Sequence, residues 1–175
     1  MAQAGYPRGF KITLTAVNTG EIPQLAQILE RSVKAIGIDM KLVIVNATAY
    51  FAGSQTGPPS GWGTTPWLNT PINITDWGHR AVPNVLLNSA FKTKGIWNAA
   101  HYSNKTFDRA VKNFNAAIPL SDQRKYAKQL QLILLHDTPV IIPYFYNYLS
   151  AGTSKLKGYE AEAIGSVYVS RASIS

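Results

Sequence analysis

The stretch "FKITLTAVNTGEIPQLAQILERSVKAIGIDMKLVIVN", residues 10–46, decides the fold class. Its opening, 10–19, alternates and is rich in β-branched residues, as a strand is. Ile22, Leu25, Leu29, Val33 and Ile36 then recur at helical spacing. Glu21 and Pro23 suit a first turn, and Gly37 suits a stop just past the last. Residues 38–46 read as a second strand. Strand, helix and strand in so short a span make a βαβ unit, which favours a parallel strand pair and an α/β layer.

Downstream the character changes. From Leu42 to Thr75 no residue is charged, and 53–71 is crowded with Gly, Pro, Thr and Trp. Trp62 and Trp67 argue for a packed, ordered loop rather than a linker. Residues 72–78 read as a short strand, and 82–91 as a short helix with Pro83 in its first turn. The spacing predicts a helix over 105–118, capped by Asn104, with Phe107, Val111, Phe114 and Ile118 as its apolar stripe. A further helix follows over 121–137, with Ser121 capping and Asp122 in the first turn. Residues 140–153, "VIIPYFYNYLSAGT", read as an apolar, aromatic strand. The tail has no clear period. No internal repeat or second domain is visible, so 1–175 is taken as one domain.

With 46% hydrophobic and 15% charged residues, disorder is excluded. No apolar run is long enough to span a membrane. The first ten residues lack an apolar h-region, so any export signal is expected to lie outside this sequence. The absence of cysteine excludes disulfides, thiolate metal sites and a cysteine nucleophile. The net charge is +8, which raises the alternative of a basic α/β module for nucleic acid or another anion. The basic residues are scattered, however, with no run of five and no nucleic-acid motif. His79, His101 and His136 are far apart, and no HExxH, GxSxG or P-loop is present. Acidic residues are single, the nearest pair being Glu160 and Glu162, so a paired-carboxylate hydrolase has little to stand on. No catalytic residue, metal or cofactor is expected. Asn46, Asn73 and Asn104 head N-x-[ST] triplets, which matter only in a glycosylating host. Aromatics dominate instead: Trp62, Trp67, Trp77, Trp97, Tyr102, Tyr144, Phe145, Tyr146 and Tyr148 cluster around loops and the late strand. Aromatic walls with a few polar groups describe a small-molecule site, and equally an ordinary core.

Six segments stand in a telling order: "AGYPRGFKITLT", "AQILERSVKAIGIDMKLVIV", "DWG", "HYSNKTFDRAVKN", "DQRKYAKQLQLILLHDTPVIIPYFYNYLSAG" and "KGY". In this order and spacing they resemble the C-terminal lobe of the periplasmic peptide-binding proteins, the solute receptors of dipeptide, oligopeptide and nickel ABC importers. The resemblance covers residues 4 to 159. It implies one α/β lobe, a mixed sheet flanked by helices, of a two-lobed type II-like receptor. It implies a periplasmic, non-enzymatic protein that captures a peptide or other small solute between lobes for an inner-membrane permease, with no nucleic-acid partner. The N-terminal lobe would lie outside this sequence, and residues 159–175 would run back towards it.

In that family the Trp of "DWG" lies at the cleft. Three positions later peptide receptors commonly carry an Asp that pairs with the peptide's α-ammonium. Counting from Trp77 reaches Arg80. An Asp at about 4 Å from an ammonium gains roughly 4 kcal/mol at an effective dielectric near 20, and an Arg there repels by a similar amount. A guanidinium suits a carboxylate or phosphate instead. The departure therefore points to an anionic or carbohydrate-like solute. The other placement open to Arg80 is a pairing with Asp76 or another carboxylate, away from ligand. The resemblance also brings Trp77, Gly78, His79, Trp97, Asn98, Phe145, Tyr146 and Asn147 towards the ligand.

Overall fold

The computed structural model describes residues 1–54, 63–147, 149–161 and 166–175. Strand β1 (Phe10–Val17), helix α1 (Ile22–Lys34) and strand β2 (Ile38–Val45) form the expected βαβ unit, with β1 and β2 parallel. Strand β3 (Ile72–Ile74) joins the other side of β1, also parallel, giving the order β2-β1-β3. β1 is thus the central strand. Its second half, Leu14 to Val17, is buried on both faces, as expected where a sheet is covered on both sides. Ile22 and Ala26 bury one face of α1 against it, and Leu29 and Val33 pack at the margin. Ile36 is 56% exposed, because α1 has already ended at Lys34.

Gly9 and Gly37 stand just before β1 and β2, both with positive φ (73° and 88°). A Cβ on Gly9 would lie 1.8 Å from the Gly37 carbonyl oxygen. Only glycine lets the two backbones meet there. The amino end of the strand pair is therefore pinched shut.

A second core lies between α4 (Lys105–Ala116) and α5 (Leu120–Asp137), with α2 (Ala47–Phe51) and α3 (Pro83–Leu86) preceding them in the chain. Phe107, Ala110, Val111 and Leu130 are buried in it. Asn104 caps α4 as expected, its Oδ1 accepting from the Thr106 and Phe107 amides at 2.8 and 3.0 Å. Two details correct the sequence reading. Ser121 does not cap α5: the helix starts at Leu120, and Pro119 takes the cap position in an extended conformation. Ile118 falls beyond α4 and is 90% exposed, so it leaves the stripe.

The ends of this helix pair are clasped. Asp137 accepts from the Tyr102 hydroxyl at 2.5 Å and from Asn104 Nδ2 at 2.7 Å, and His136 Nδ1 lies 2.9 Å from its other oxygen. Hydrogen bonding from His136, then Tyr102 and Asn104, lowers its pKa from 3.8 to about 2. A depressed carboxyl stabilises the fold above its unfolded value, and that contribution is lost as pH falls. The Tm difference between the native chain and Asp137→Asn should thus be constant above pH about 4. It should shrink between about 4 and about 2, as read by melting curves across that range.

Two expected strands are shorter or absent. Residues 75–78 do not continue β3, which ends at Ile74. Residues 140–147 form no strand, and Ile141 and Phe145 are 80% and 86% exposed. Branched and aromatic side chains favour a strand only where a neighbouring backbone is free to pair. Tyr148 and Trp62 lie outside the described residues. The tail folds on itself as two small antiparallel pairs: β4 (Leu156–Lys157) with β7 (Ser173–Ile174), and β5 (Glu160–Ala161) with β6 (Val167–Tyr168).

Candidate functional site at the carboxyl edge of the sheet

Because the three strands are parallel, their exits share one edge. Val17 pairs with Val45, and Ala16 with Ile74. The chain leaves β1 towards Glu21, β2 towards Asn46 and α2, and β3 towards Trp77. In open parallel sheets this edge is where ligands bind.

The exits carry a continuous run of rings. Tyr50 meets Phe51 at 5.0 Å, Phe51 meets Trp67 at 6.1 Å, Trp67 meets Trp77 at 6.1 Å, and Trp77 meets Trp97 at 5.9 Å. All four contacts are edge-to-face, the arrangement ring quadrupoles prefer. The run is graded. Tyr50 is fully buried, its hydroxyl donating to the Ile74 carbonyl at 3.0 Å, while Phe51 and Trp77 are 43% and 39% exposed. Burial, then the Asp76 charge, pushes the Tyr50 hydroxyl far up, so it stays protonated. Trp67 is buried, and its indole Nε1 has no hydrogen-bond partner. A buried donor left unpaired calls for an explanation.

Arg80 ends the run, its guanidinium 5.3 Å from the Trp97 ring centroid. Nη1 donates to the Gly78 and His79 carbonyls at 2.8 and 3.0 Å. A Cβ on Gly78 would sit 3.0 Å from that nitrogen, so the glycine leaves room for it. Among the described residues no carboxylate pairs with Arg80; the ion pairs there are Lys11–Asp39 and His136–Asp137. The pairing with Asp76 is not formed. Of five donors, those on Nε and Nη2 remain, and they form one bidentate edge.

The loop under Trp97 is tightly built. Residues 87–91 form a π-helical turn continuing α3, and Trp97 N donates to Ser89 O at 2.8 Å. Asn98 holds the loop together. Its Nδ2 donates to Lys92 O and Tyr102 O at 3.1 and 2.7 Å, and its Oδ1 accepts from Tyr102 N at 2.9 Å. With no exposed surface, Asn98 serves the loop and not a ligand, which corrects its place among the contacts.

Trp77, Gly78, Arg80 and Trp97 are thus brought together, and the His79 side chain is exposed beside them. Phe145, Tyr146 and Asn147 are exposed too, but no described contact joins them to Arg80. Tyr146 lies near Glu21 instead. Tyr144 donates its hydroxyl at 3.2 Å to Oε1 of the Glu21 carboxylate. Its own backbone amide, then Tyr146 and Tyr144, hold Glu21 below the usual carboxyl range, against partial burial. Sequence reading missed Glu21 and Phe51. Tyr144 and Glu21 are 123 positions apart, so no local pattern links them. Phe51 sits on α2, a five-residue helix hidden in the uncharged stretch. Among the described residues no three His, Cys, Asp or Glu side chains gather to hold a metal.

No family model matches the chain. The dipeptide-binding protein DppE of Bacillus subtilis is 20% identical over 166 residues, 94% of this chain and 28% of that protein. The oligopeptide-binding protein AppA of Bacillus subtilis, solved with a nonapeptide, superposes with a TM-score of 0.76 at 20% identity, over 95% of this chain and 32% of AppA. NikA of Staphylococcus aureus, solved with Ni(L-His)2, gives 0.67 at 18% identity, over 99% of this chain and 36% of NikA. The chain has the fold of the peptide- and nickel-type solute-binding proteins. It resembles one part of these two-lobed proteins, spanning 28% of the curated relative's length. In this chain the aromatic run and Arg80 occupy the carboxyl edge of the parallel strands.

Proposed function

We propose that the chain is a ligand-binding lobe of a periplasmic receptor for an ABC importer, and that it selects an anionic solute through Arg80. The relatives are binding proteins by name, which supports capture rather than chemistry. A second lobe would complete the cleft, and a permease would take the solute. The observation that carries the reading is the state of Arg80. Its Nη1 is tied to two carbonyls, its plane is steadied by Trp97, and its remaining bidentate edge faces no protein carboxylate among the described residues. A guanidinium so fixed has lost its rotamer freedom before ligand arrives, which favours affinity.

The test is a calorimetric titration with succinate, and with a dipeptide amide that has a free amine and no carboxylate. One wall of a cleft binds weakly, so a Kd of about 1 mM is expected for succinate. Arg80→Gln should weaken it about tenfold or more, since a charged bidentate pair is lost. Tight binding of the dipeptide amide, weakened by Arg80→Asp, would overturn the anionic reading.

A further inference from the structure

We infer that Glu21, Tyr144 and Tyr146 form a binding site for an organic ammonium group, a cation-accepting pole on the strand edge that also carries Arg80. The inference deepens the proposed function and rests on that edge being the solute face. Three observations carry it. The Tyr144 and Tyr146 rings stand 5.5 Å apart at 85°, so two ring faces meet in a right-angled corner. Both are open to solvent, at 41% and 57% exposure. The Tyr144 phenol reaches the Glu21 carboxylate at 3.2 Å across more than a hundred residues of sequence, which places Glu21 beside the corner.

The chemistry of such a corner is selective. Ring faces attract weakly hydrated cations, and a carboxylate adds the counter-charge. A single carboxylate is too few oxygens for Ca²⁺ or Mg²⁺, which take six or more. An alkylated ammonium needs only one, and it covers the ring faces with its methyl or methylene groups. Glu21 is paired with no Lys or Arg among the described residues. It does stand at the start of α1, whose end carries a partial positive charge of about half a unit. The full charge on Glu21 outweighs that at contact, and its side chain makes no capping bond to the helix. The site therefore keeps a net attraction for cations. With Arg80 on the neighbouring exit, the edge suits a solute that bears both charges.

The test is a titration of the whole chain with tetramethylammonium chloride, followed through backbone amide NMR shifts. Neopentyl alcohol serves as the neutral molecule of similar shape. Saturable shifts are expected at Glu21 and Tyr144 with the cation and not with the alcohol. Glu21→Gln should weaken them about tenfold, consistent with loss of one charge pair near the surface. Tyr144→Ala, which keeps the carboxylate and removes a ring face, should weaken them as well. Equal shifts from the alcohol, no saturation, or an unaltered response in both variants would overturn the inference. If succinate fails to bind while tetramethylammonium binds, the Arg80 reading falls and this one stands; the reverse result removes this one alone.

Discussion

Phe107→Ala should unfold the α4–α5 pair while leaving the sheet standing. Phe107 is fully buried and stacks edge-on to Tyr102 at 5.5 Å. Truncating a buried Phe costs about 3–5 kcal/mol, from lost transfer energy and the cavity left behind. For a chain of this size that is a Tm loss of roughly 6–20 °C. The loss should be local, because the two hydrophobic clusters share no buried residue. Hydrogen exchange is the measurement: amides in 105–137 should lose protection, and those of β1 should keep it. Equal loss in β1 would show that the two cores melt as one unit.

Asn98→Ala is the second large effect, and it reaches the site. The buried side chain satisfies two carbonyls and one amide of its loop. Removing it strands all three, at about 1–3 kcal/mol for a buried polar group left unpaired. A total near 3 kcal/mol is expected, or roughly 6–12 °C in Tm. Trp97 is the next residue and stacks beneath Arg80, so succinate affinity should fall with stability. Thermal melts and calorimetry together decide it. A lower Tm with unchanged affinity would mean that Arg80 holds its position without the loop.

Much of this was legible in the sequence because it is local. The βαβ unit lies in one stretch of 10–46, where period and stop signals agree, and the Asn104 cap needs only the next three residues. What failed depended on partners. Residues 140–147 have the composition of a strand, but strand propensity does not supply a neighbour to bond. Ser121 lost the cap of α5 to Pro119, whose fixed φ already matches the extended cap conformation. Asn98 was placed among the ligand contacts by the family resemblance, which brings its loop towards the ligand. Only the fold shows that its amide is spent on Lys92 and Tyr102. Arg80 was legible as a departure from a family pattern, but not its clasp on Gly78 and His79.

The ring contacts of the carboxyl edge carry an optical consequence. Three of the four tryptophans, at 67, 77 and 97, touch in sequence at about 6 Å. Indoles that close exchange excitation and couple their transitions. The ultraviolet emission of these three should therefore come from one electronically linked cluster with a guanidinium over its last ring. A solute that draws Arg80 off Trp97 would shift that emission and its circular dichroism together. The lobe thus carries its own label, at the place where a ligand is expected to arrive.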